Sequence, residues 1–157
     1  MYAKCGSIEE AWTVFEKMPS GNVVTWTTII LGHVQCQQGQ KALELFEKMQ
    51  QEGVQPDSVT FVGVLNACAS ILALEEGRGQ VCRQQIIQSG LESDVFVGSS
   101  LVDMYAKCGS IEDAGKVFKK MPSQDMVSWT AMIFRHVQCR EGHKALELFQ
   151  QMQQEDV

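Results

Sequence analysis

The chain lacks the features that would mark it as a membrane protein or a β protein. It contains no run of about 20 apolar residues, the length that a membrane-spanning helix needs. No segment alternates apolar and polar residues in the manner of a half-buried strand. The first residues also lack the basic and apolar regions of a targeting peptide. We therefore expect an all-α protein with no membrane span and with no transit peptide in this chain.

The chain is also poor in positive charge. It has 13 Lys and Arg residues against 19 Asp and Glu residues, which gives a formal net charge of −6. Taken alone, this balance argues against a nucleic-acid partner, because phosphate contacts need a basic surface. A locally positive groove could still form from a small set of basic residues, namely Lys4, Lys41, Arg78, Arg83, Lys107, Arg135 and Lys144.

The six cysteines lack the spacing of a metal site. No two of them form a CxxC pair, and none of the three histidines lies at ligand spacing from them. Zinc binding is one interpretation, but these spacings favour the other, in which small, reduced thiols pack between helices. We expect no metal, no cofactor and no required disulfide among Cys5, Cys36, Cys68, Cys82, Cys108 and Cys139.

What the chain does contain is an internal duplication. The sequence MYAKCGSIEEAWTVFEKMP at residues 1–19 returns as MYAKCGSIEDAGKVFKKMP at residues 104–122. At the same offset of 103 residues, residues 25–54 return as residues 128–157, and about two-thirds of all paired positions are identical. Similarity at this level indicates a repeat architecture, in which each unit buries its apolar face against its neighbours.

The apolar spacing within the units is helical. Ala42, Leu45, Phe46 and Met49 fall at i, i+3, i+4 and i+7, and Gly53 marks the end of that helix. The same reasoning predicts helix pairs along the chain, at residues 25–36, 40–52, 58–70, 74–89, 95–107, 111–121, 127–139 and 142–155. The expected fold is a right-handed α-solenoid of stacked helix-turn-helix repeats whose two terminal repeats are incomplete.

The unequal lengths of the repeats, and their sequences, resemble those of a known repeat family. Three stretches are similar to the P, L and S motifs of pentatricopeptide repeat (PPR) proteins of land plants: VVTWTTII with KALELFEKMQQEGVQPD, SVTFVGVLNACASILALEEGR with IIQSGLESD, and VFVGSSLVDMYAKCGSIEDAGKVFKKMPSQD. The chain thus resembles a fragment of a PLS-subclass array without the C-terminal E and DYW domains. The implied repeats are a partial S type at 1–22, a P type at 23–57, an L type at 58–94, an S type at 95–125 and a truncated P type at 126–157. The L type is about two residues longer than usual. Either the turn near residues 77–79 accommodates the two extra residues, or the outer face of the following helix is shifted in register.

The resemblance implies binding of single-stranded RNA at one base per repeat. Bases would be read by the fifth and last residues of the repeats, which are Asn22, Thr27, Asp57, Val62, Asp94, Ser99, Asp125 and Thr130. The second residues would pack against the base faces, and these are Val24, Val59, Phe96 and Val127. A last-position carboxylate suits the N–H of guanine or uracil, and an amide suits adenine or cytosine. Because the family pairs a short fifth-position hydroxyl with purines, the implied RNA sequence is 5′-(A/C)-G-N-G-3′.

These assignments have structural alternatives. The last residues of the repeats directly precede predicted helices, where such side chains commonly cap free backbone N–H groups. The valines at the second positions could equally be core residues, and we expect Trp26 and Trp129 in the core. The alternative function is a helical-repeat scaffold for protein–protein interaction, which the acidic charge and the grooves between helices favour.

Nothing in the sequence predicts catalysis. PLS-type proteins often carry a deaminase-like domain, but its HxE and CxxC zinc signature is missing here. His33 and His136 are followed by Val-Gln, and His143 is followed by Lys-Ala. We therefore expect neither enzyme activity nor a small-molecule substrate. A role in organellar RNA editing or processing, in the mitochondrion or chloroplast as the resemblance implies, would need editing-complex proteins supplied in trans.

Overall fold

The structure is a computed structural model that describes residues 2–18, 21–71 and 78–157. Within these residues every regular element is an α-helix, which confirms the all-α prediction. The helices are α1 (Tyr2–Glu16), α2 (Val23–Gln35), α3 (Gly39–Gln51), α4 (Ser58–Ile71), α5 (Arg78–Gln88), α6 (Val95–Lys107), α7 (Ile111–Lys120), α8 (Met126–Gln138) and α9 (Gly142–Gln154).

The helix boundaries follow the glycines and prolines of the sequence. Helices α2–α4 and α6–α9 begin and end within two residues of the predicted positions. Gly53 and Gly90 follow helices in the left-handed conformation, with φ of 76° and 71°, which glycine adopts without strain. The helix predicted at 74–89 is described from residue 78 onward as α5. Its predicted start, and part of the turn expected to absorb the surplus of the L repeat, lie outside the described residues.

Residues Met1–Ile71 form one compact unit. In this unit α2 packs against α1, α3 and α4, and α3 also packs against α4. Trp26 and Ile30 on α2, Phe46 on α3 and Phe61 on α4 are all buried. The rings of Phe46 and Phe61 meet edge to face with centroids 5.9 Å apart. This aromatic contact holds α4 against the pair formed by α2 and α3.

Residues Leu72–Val157 form the second compact unit, in which α6 packs against α5, α7 and α8, and α8 also packs against α9. The rings of Phe118 and Trp129 meet at 4.8 Å and 80°. Their counterparts in the duplication, Phe15 and Trp26, meet at 4.6 Å and 75° in the first unit. Both copies therefore build the same aromatic contact, and the core prediction for the two tryptophans is confirmed.

One duplicated segment adopts two different structures. In the second copy the chain leaves α6 at Lys107, turns through Cys108 and Gly109, and begins α7 at Ile111. The φ of Gly109 in this turn is 88°. The same sequence in the first copy lies within the continuous helix α1. In the second copy α7 folds back against the long helix α6.

The cysteines correct the expectation of buried, reduced thiols. Cys68 and Cys82 are buried as expected, but Cys108 and Cys139 are exposed. Cys36 is disulfide-bonded, which the spacing of the cysteines did not predict. Cys108 and Cys139 are the C-caps of α6 and α8, so they lie beyond the apolar stripes of those helices.

The duplicated pairs α2–α3 and α8–α9 differ in what covers them. Leu43 and Phe46 of α3 are 5% and 4% exposed, whereas the equivalent Leu146 and Phe149 of α9 are 62% and 46% exposed. In the first unit α4 packs against both helices of the pair. Among the described helices, α9 packs against α8 alone. Nearly identical sequences thus present one covered and one open apolar face.

The difference between the covered and the open face can be tested at two equivalent glycines, Gly39 and Gly142. A Cβ at Gly39, the first residue of α3, would lie 2.7 Å from Ser70 Oγ and 3.0 Å from the carbonyl oxygen of Ala67. We expect Gly39→Ala to lower the free energy of unfolding by about 1–3 kcal/mol, because backbone in α4 must move. Gly142→Ala meets nothing within 4 Å and should leave stability unchanged or raise it by up to about 1 kcal/mol. Urea unfolding followed by circular dichroism measures both, and equal effects would contradict the close approach of α3 and α4.

Candidate nucleic-acid interface

The last residue of each of the first four predicted repeats caps the helix that follows it. In each case the side-chain Oδ1 accepts the backbone N–H three residues later at 2.9–3.0 Å. The four caps, at the starts of α2, α4, α6 and α8, are Asn22, Asp57, Asp94 and Asp125. The capping role considered from the sequence is therefore confirmed at all four positions.

Each capping side chain keeps a second polar atom that takes no part in the cap. Asp57 accepts both the backbone N–H and the hydroxyl of Thr60 through Oδ1, so its Oδ2 takes no part in the cap. Asn22 accepts the backbone N–H and the hydroxyl of Thr25 through Oδ1. Its amide Nδ2, which donates two hydrogens, is thereby turned away from the helix end. The caps thus fix a remaining acceptor at Asp57 and a remaining donor at Asn22, and capping is compatible with base reading.

The fifth-position residues differ in burial and bonding. Thr27 and Ser99 are buried, Val62 is half-buried and Thr130 is exposed. The hydroxyl of Ser99 donates to the carbonyl one turn earlier in its own helix, at 2.7 Å. The hydroxyl of Thr27 instead lies 2.7 Å from that of Thr60, which also bonds to the Asp57 cap. The first unit therefore joins a fifth and a last residue through Thr60, whereas Ser99 bonds within α6.

The second-position residues are apolar and exposed. Each lies two residues after a capping side chain, on the first turn of its helix. Their exposed fractions are 66% for Val24, 51% for Val59, 73% for Phe96 and 53% for Val127. The alternative placement of the valines in the core is therefore wrong. An exposed apolar group beside an oriented polar group is suited to a flat base, because one covers the ring face while the other bonds to its edge.

Thr60 also belongs to the candidate site, through its bonds to Thr27 and Asp57, and the sequence alone did not predict this. A weak signal for it exists in the third positions of the repeats. A hydroxyl residue follows Asn22, Asp57 and Asp125 by three residues, but Val97 stands there after Asp94. This pattern alone also fits ordinary helix capping, so the link from Thr60 to Thr27 needed the packing of α4 against α2.

Lys107 and Lys144, two of the basic residues that could form a locally positive groove, have acidic neighbours. Lys107 Nζ lies 2.7 Å from Asp103 Oδ2, and Lys144 Nζ lies 3.5 Å from Glu141 Oε1. A hydrogen bond from His136, together with the charge of Lys144, holds the pKa of Glu141 below its usual value. The carboxylate of Glu141 is thus charged at neutral pH, which weakens Lys144 as a phosphate ligand.

Other kinds of site are not seen in the described part of the chain. No group of three or more His, Cys, Asp or Glu side chains there is arranged to hold a metal ion. Of the helices in those residues, none combines the length and apolar character needed to cross a membrane.

Stacked helix pairs with one apolar face covered by the next pair define a protein of the α-helical repeat class. A crystal structure of the pentatricopeptide repeat protein PPR10 in complex with an 18-nt psaJ RNA element has the same fold, with a TM-score of 0.77 at 19% sequence identity. The match covers 95% of this chain and 23% of that chain. The fold is therefore that of an α-solenoid.

The family follows from the sequence comparisons. The family model described as PPR repeat matches residues 1–23, 99–126 and 127–157, and the one described as PPR repeat family matches residues 21–70. The chain belongs to the pentatricopeptide repeat family. Both matching models describe repeats and not a catalytic domain.

Two plant proteins illustrate the relationship. A putative pentatricopeptide repeat-containing protein of Arabidopsis thaliana is 44% identical over 152 residues, which are 97% of this chain and 18% of that protein. A chloroplastic pentatricopeptide repeat-containing protein of the same plant is 41% identical over 157 residues, which are 100% of this chain and 25% of that protein. The chain spans about a fifth to a quarter of the length of these relatives.

Proposed function

We propose that this chain binds single-stranded RNA in a sequence-specific manner, with one base read by each repeat. The observation that carries the proposal is the repeated pairing of an oriented polar cap with an exposed apolar residue two positions later, at the starts of α2, α4, α6 and α8. The fold shared with PPR10, whose crystal structure contains an RNA element, supports the same function.

The side chains favour the sequence 5′-(A/C)-G-N-G-3′, given the parallel polarity that the family resemblance implies. Asp57 and Asp125 offer acceptor-only carboxylates, which suit the N1–H of guanine. The donor of Asn22 suits the ring nitrogen of adenine or cytosine. Val62 cannot bond to a base edge, so its repeat accepts any base. Ser99 keeps its hydroxyl within α6, so the second guanine is read more weakly than the first.

The biological setting of the proposal is the expression of organellar RNA. The repeat lengths favour the PLS subclass, whose members act in RNA editing or processing. Two of the Arabidopsis thaliana relatives are named chloroplastic, which supports a location in the chloroplast or mitochondrion. On this proposal the chain selects the transcript, and editing-complex proteins in trans supply the chemistry.

We expect the binding to be weak and only slightly dependent on salt. The chain carries a net charge of −6, and two of its lysines face carboxylates at close range. Few phosphates are then neutralised, so few counterions are released on binding. Most of the recognition must come from the edges and faces of about three readable bases.

The test is a change of base preference in Thr27→Asn. Fluorescence anisotropy at low salt compares a labelled RNA carrying 5′-AGNG-3′ with one in which the first guanine is uracil. We expect the wild-type chain to prefer guanine and the variant to shift the guanine-to-uracil affinity ratio by about tenfold toward uracil, the equivalent of one hydrogen bond. The longer amide reaches a pyrimidine edge, which a short hydroxyl cannot.

Thr28→Asn is the matched control. Thr28 is the next residue of α2, is exposed, and donates its hydroxyl to the carbonyl of Val24 at 2.7 Å. This variant should keep the wild-type preference for guanine. If the two RNAs bind all three proteins equally, or none binds at low salt, base reading is excluded and the protein–protein scaffold becomes the preferred function.

A further inference from the structure

We infer that Thr60 is a positioning residue for guanine recognition, which couples Thr27 to Asp57 through one shared hydroxyl. This inference rests on the RNA-reading function proposed above and deepens it. Thr60 belongs to the repeat at 58–94, yet its hydroxyl bonds to the fifth and last residues of the preceding repeat, 23–57. A residue of one repeat would therefore set the base preference of its neighbour.

The geometry places the hydroxyl of Thr60 at the centre of a small network. Thr60 is fully buried, and its Oγ1 lies 2.7 Å from Thr27 Oγ1 and 2.8 Å from Asp57 Oδ1. The same Oγ1 accepts the backbone N–H of Asp57 at 3.2 Å. Thr27 and Asp57 are 30 positions apart in sequence, and this one hydroxyl connects them.

The single hydrogen of that hydroxyl has two acceptors within reach. When Thr60 donates to Asp57 Oδ1, the hydroxyl of Thr27 donates to Thr60. When Thr60 donates to Thr27, the hydrogen of Thr27 is released for a base acceptor, while Oδ2 of Asp57, which takes no part in the cap, can accept a base N–H. One rotation of the Thr60 hydroxyl thus adds a donor on Thr27 to the acceptor on Asp57, and the edge of a guanine requires both.

Other helical hydroxyls show what Thr27 would do without this partner. Thr28 and Ser99 both donate to the carbonyl four residues earlier, at 2.7 Å. This back-bond is the usual arrangement for a hydroxyl within a helix, and it removes the donor from any ligand. Ser128, the counterpart of Thr60 in the last repeat, donates to the backbone carbonyl of Asp125 at 2.9 Å. The network therefore distinguishes the repeat at 23–57 from the one at 95–125.

Thr60→Val tests the inference, because valine keeps the shape of threonine and lacks the hydroxyl. We expect Thr27 to form the back-bond within α2, and the affinity ratio of guanine over uracil at the first guanine to fall about two- to tenfold. Thr60→Ser restores the hydroxyl and should restore most of the ratio. The measurement uses the 157-residue chain and the same pair of labelled RNAs, with circular dichroism to check folding.

Thr25→Val is the control for a general loss of capping. Thr25 donates its hydroxyl to Asn22 Oδ1 at 2.8 Å as Thr60 does to Asp57, but this bond does not involve a fifth-position residue. This variant should keep the wild-type ratio at the first guanine. If Thr60→Val does not fold, Thr60→Ala removes the same hydroxyl without filling its space and is read in the same way.

The outcomes separate the two proposals. A lower ratio in Thr60→Val, with recovery in Thr60→Ser and no change in Thr25→Val, supports the positioning role. An unchanged ratio in Thr60→Val, or an equal fall in Thr60→Ser or Thr25→Val, overturns that role while RNA reading stands. A wild-type chain that does not distinguish guanine from uracil overturns both proposals.

Discussion

We expect Phe46→Ala to lower the free energy of unfolding by about 3–5 kcal/mol. The same change at Phe149, its counterpart in the duplication, should cost no more than about 1 kcal/mol. Phe46 is 4% exposed and meets the edge of Phe61, so its removal leaves a cavity between α3 and α4. Phe149 is 46% exposed, and water can occupy the space that its ring leaves.

The comparison is well controlled because the surrounding sequences are nearly identical. The segment KALELF stands at residues 41–46 and again at 144–149, so helix propensity and local charge are matched. Urea unfolding followed by circular dichroism should give a clearly lower midpoint for Phe46→Ala and a nearly wild-type midpoint for Phe149→Ala. The protein concentration is varied in both series. A loss at Phe149 as large as that at Phe46, growing with concentration, would mean that a second copy covers the α8–α9 face.

The helices could be predicted from sequence because their signals are local. The i, i+3, i+4, i+7 spacing that contains Phe46, and glycines such as Gly53 and Gly109, act over a single turn and need no knowledge of the packing. The caps were foreseeable for the same reason, since Asp57 reaches only three residues along the chain. However, segments of identical sequence did not always adopt the same structure. The YAKCGS segment lies within the continuous helix α1 at residues 2–7, whereas at residues 105–110 it forms the end of α6 and the turn that follows.

The candidate site was only partly predictable because some of its contacts join distant residues. The second positions were recognised by resemblance, but their exposure depends on which helices pack beside them. The bond between Thr27 and Thr60 spans 33 residues and exists because α4 packs against α2. The sequence of either helix alone predicts a different bond for Thr27, the back-bond that Thr28 forms. Local reasoning thus finds the groups of the site and misses the connection between them.

The sharpest test that separates base reading from helix capping is Asp57→Asn. Asparagine caps a helix about as well as aspartate, so the free energy of unfolding should change by less than about 1 kcal/mol. Asn22 shows the expected geometry, with Oδ1 bonded to the helix and the amide nitrogen turned away from it. A donor then replaces the acceptor that faces the base. We expect preference at the first guanine to move to adenine, by roughly ten- to hundredfold in the affinity ratio.

Asp94→Asn is the control variant for this change. Asp94 caps α6 through the same contact at 3.0 Å, but its repeat is the one expected to accept any base, so preference at the first guanine should not change. Anisotropy with RNAs that carry guanine or adenine at that position gives both ratios. If Asp57 only caps the helix, neither variant alters base preference. Asp57→Ala then lowers the free energy of unfolding by about 0.5–2 kcal/mol and also leaves base preference unchanged. A switch to adenine in Asp57→Asn alone can arise only if the oxygen that does not cap the helix contacts the base.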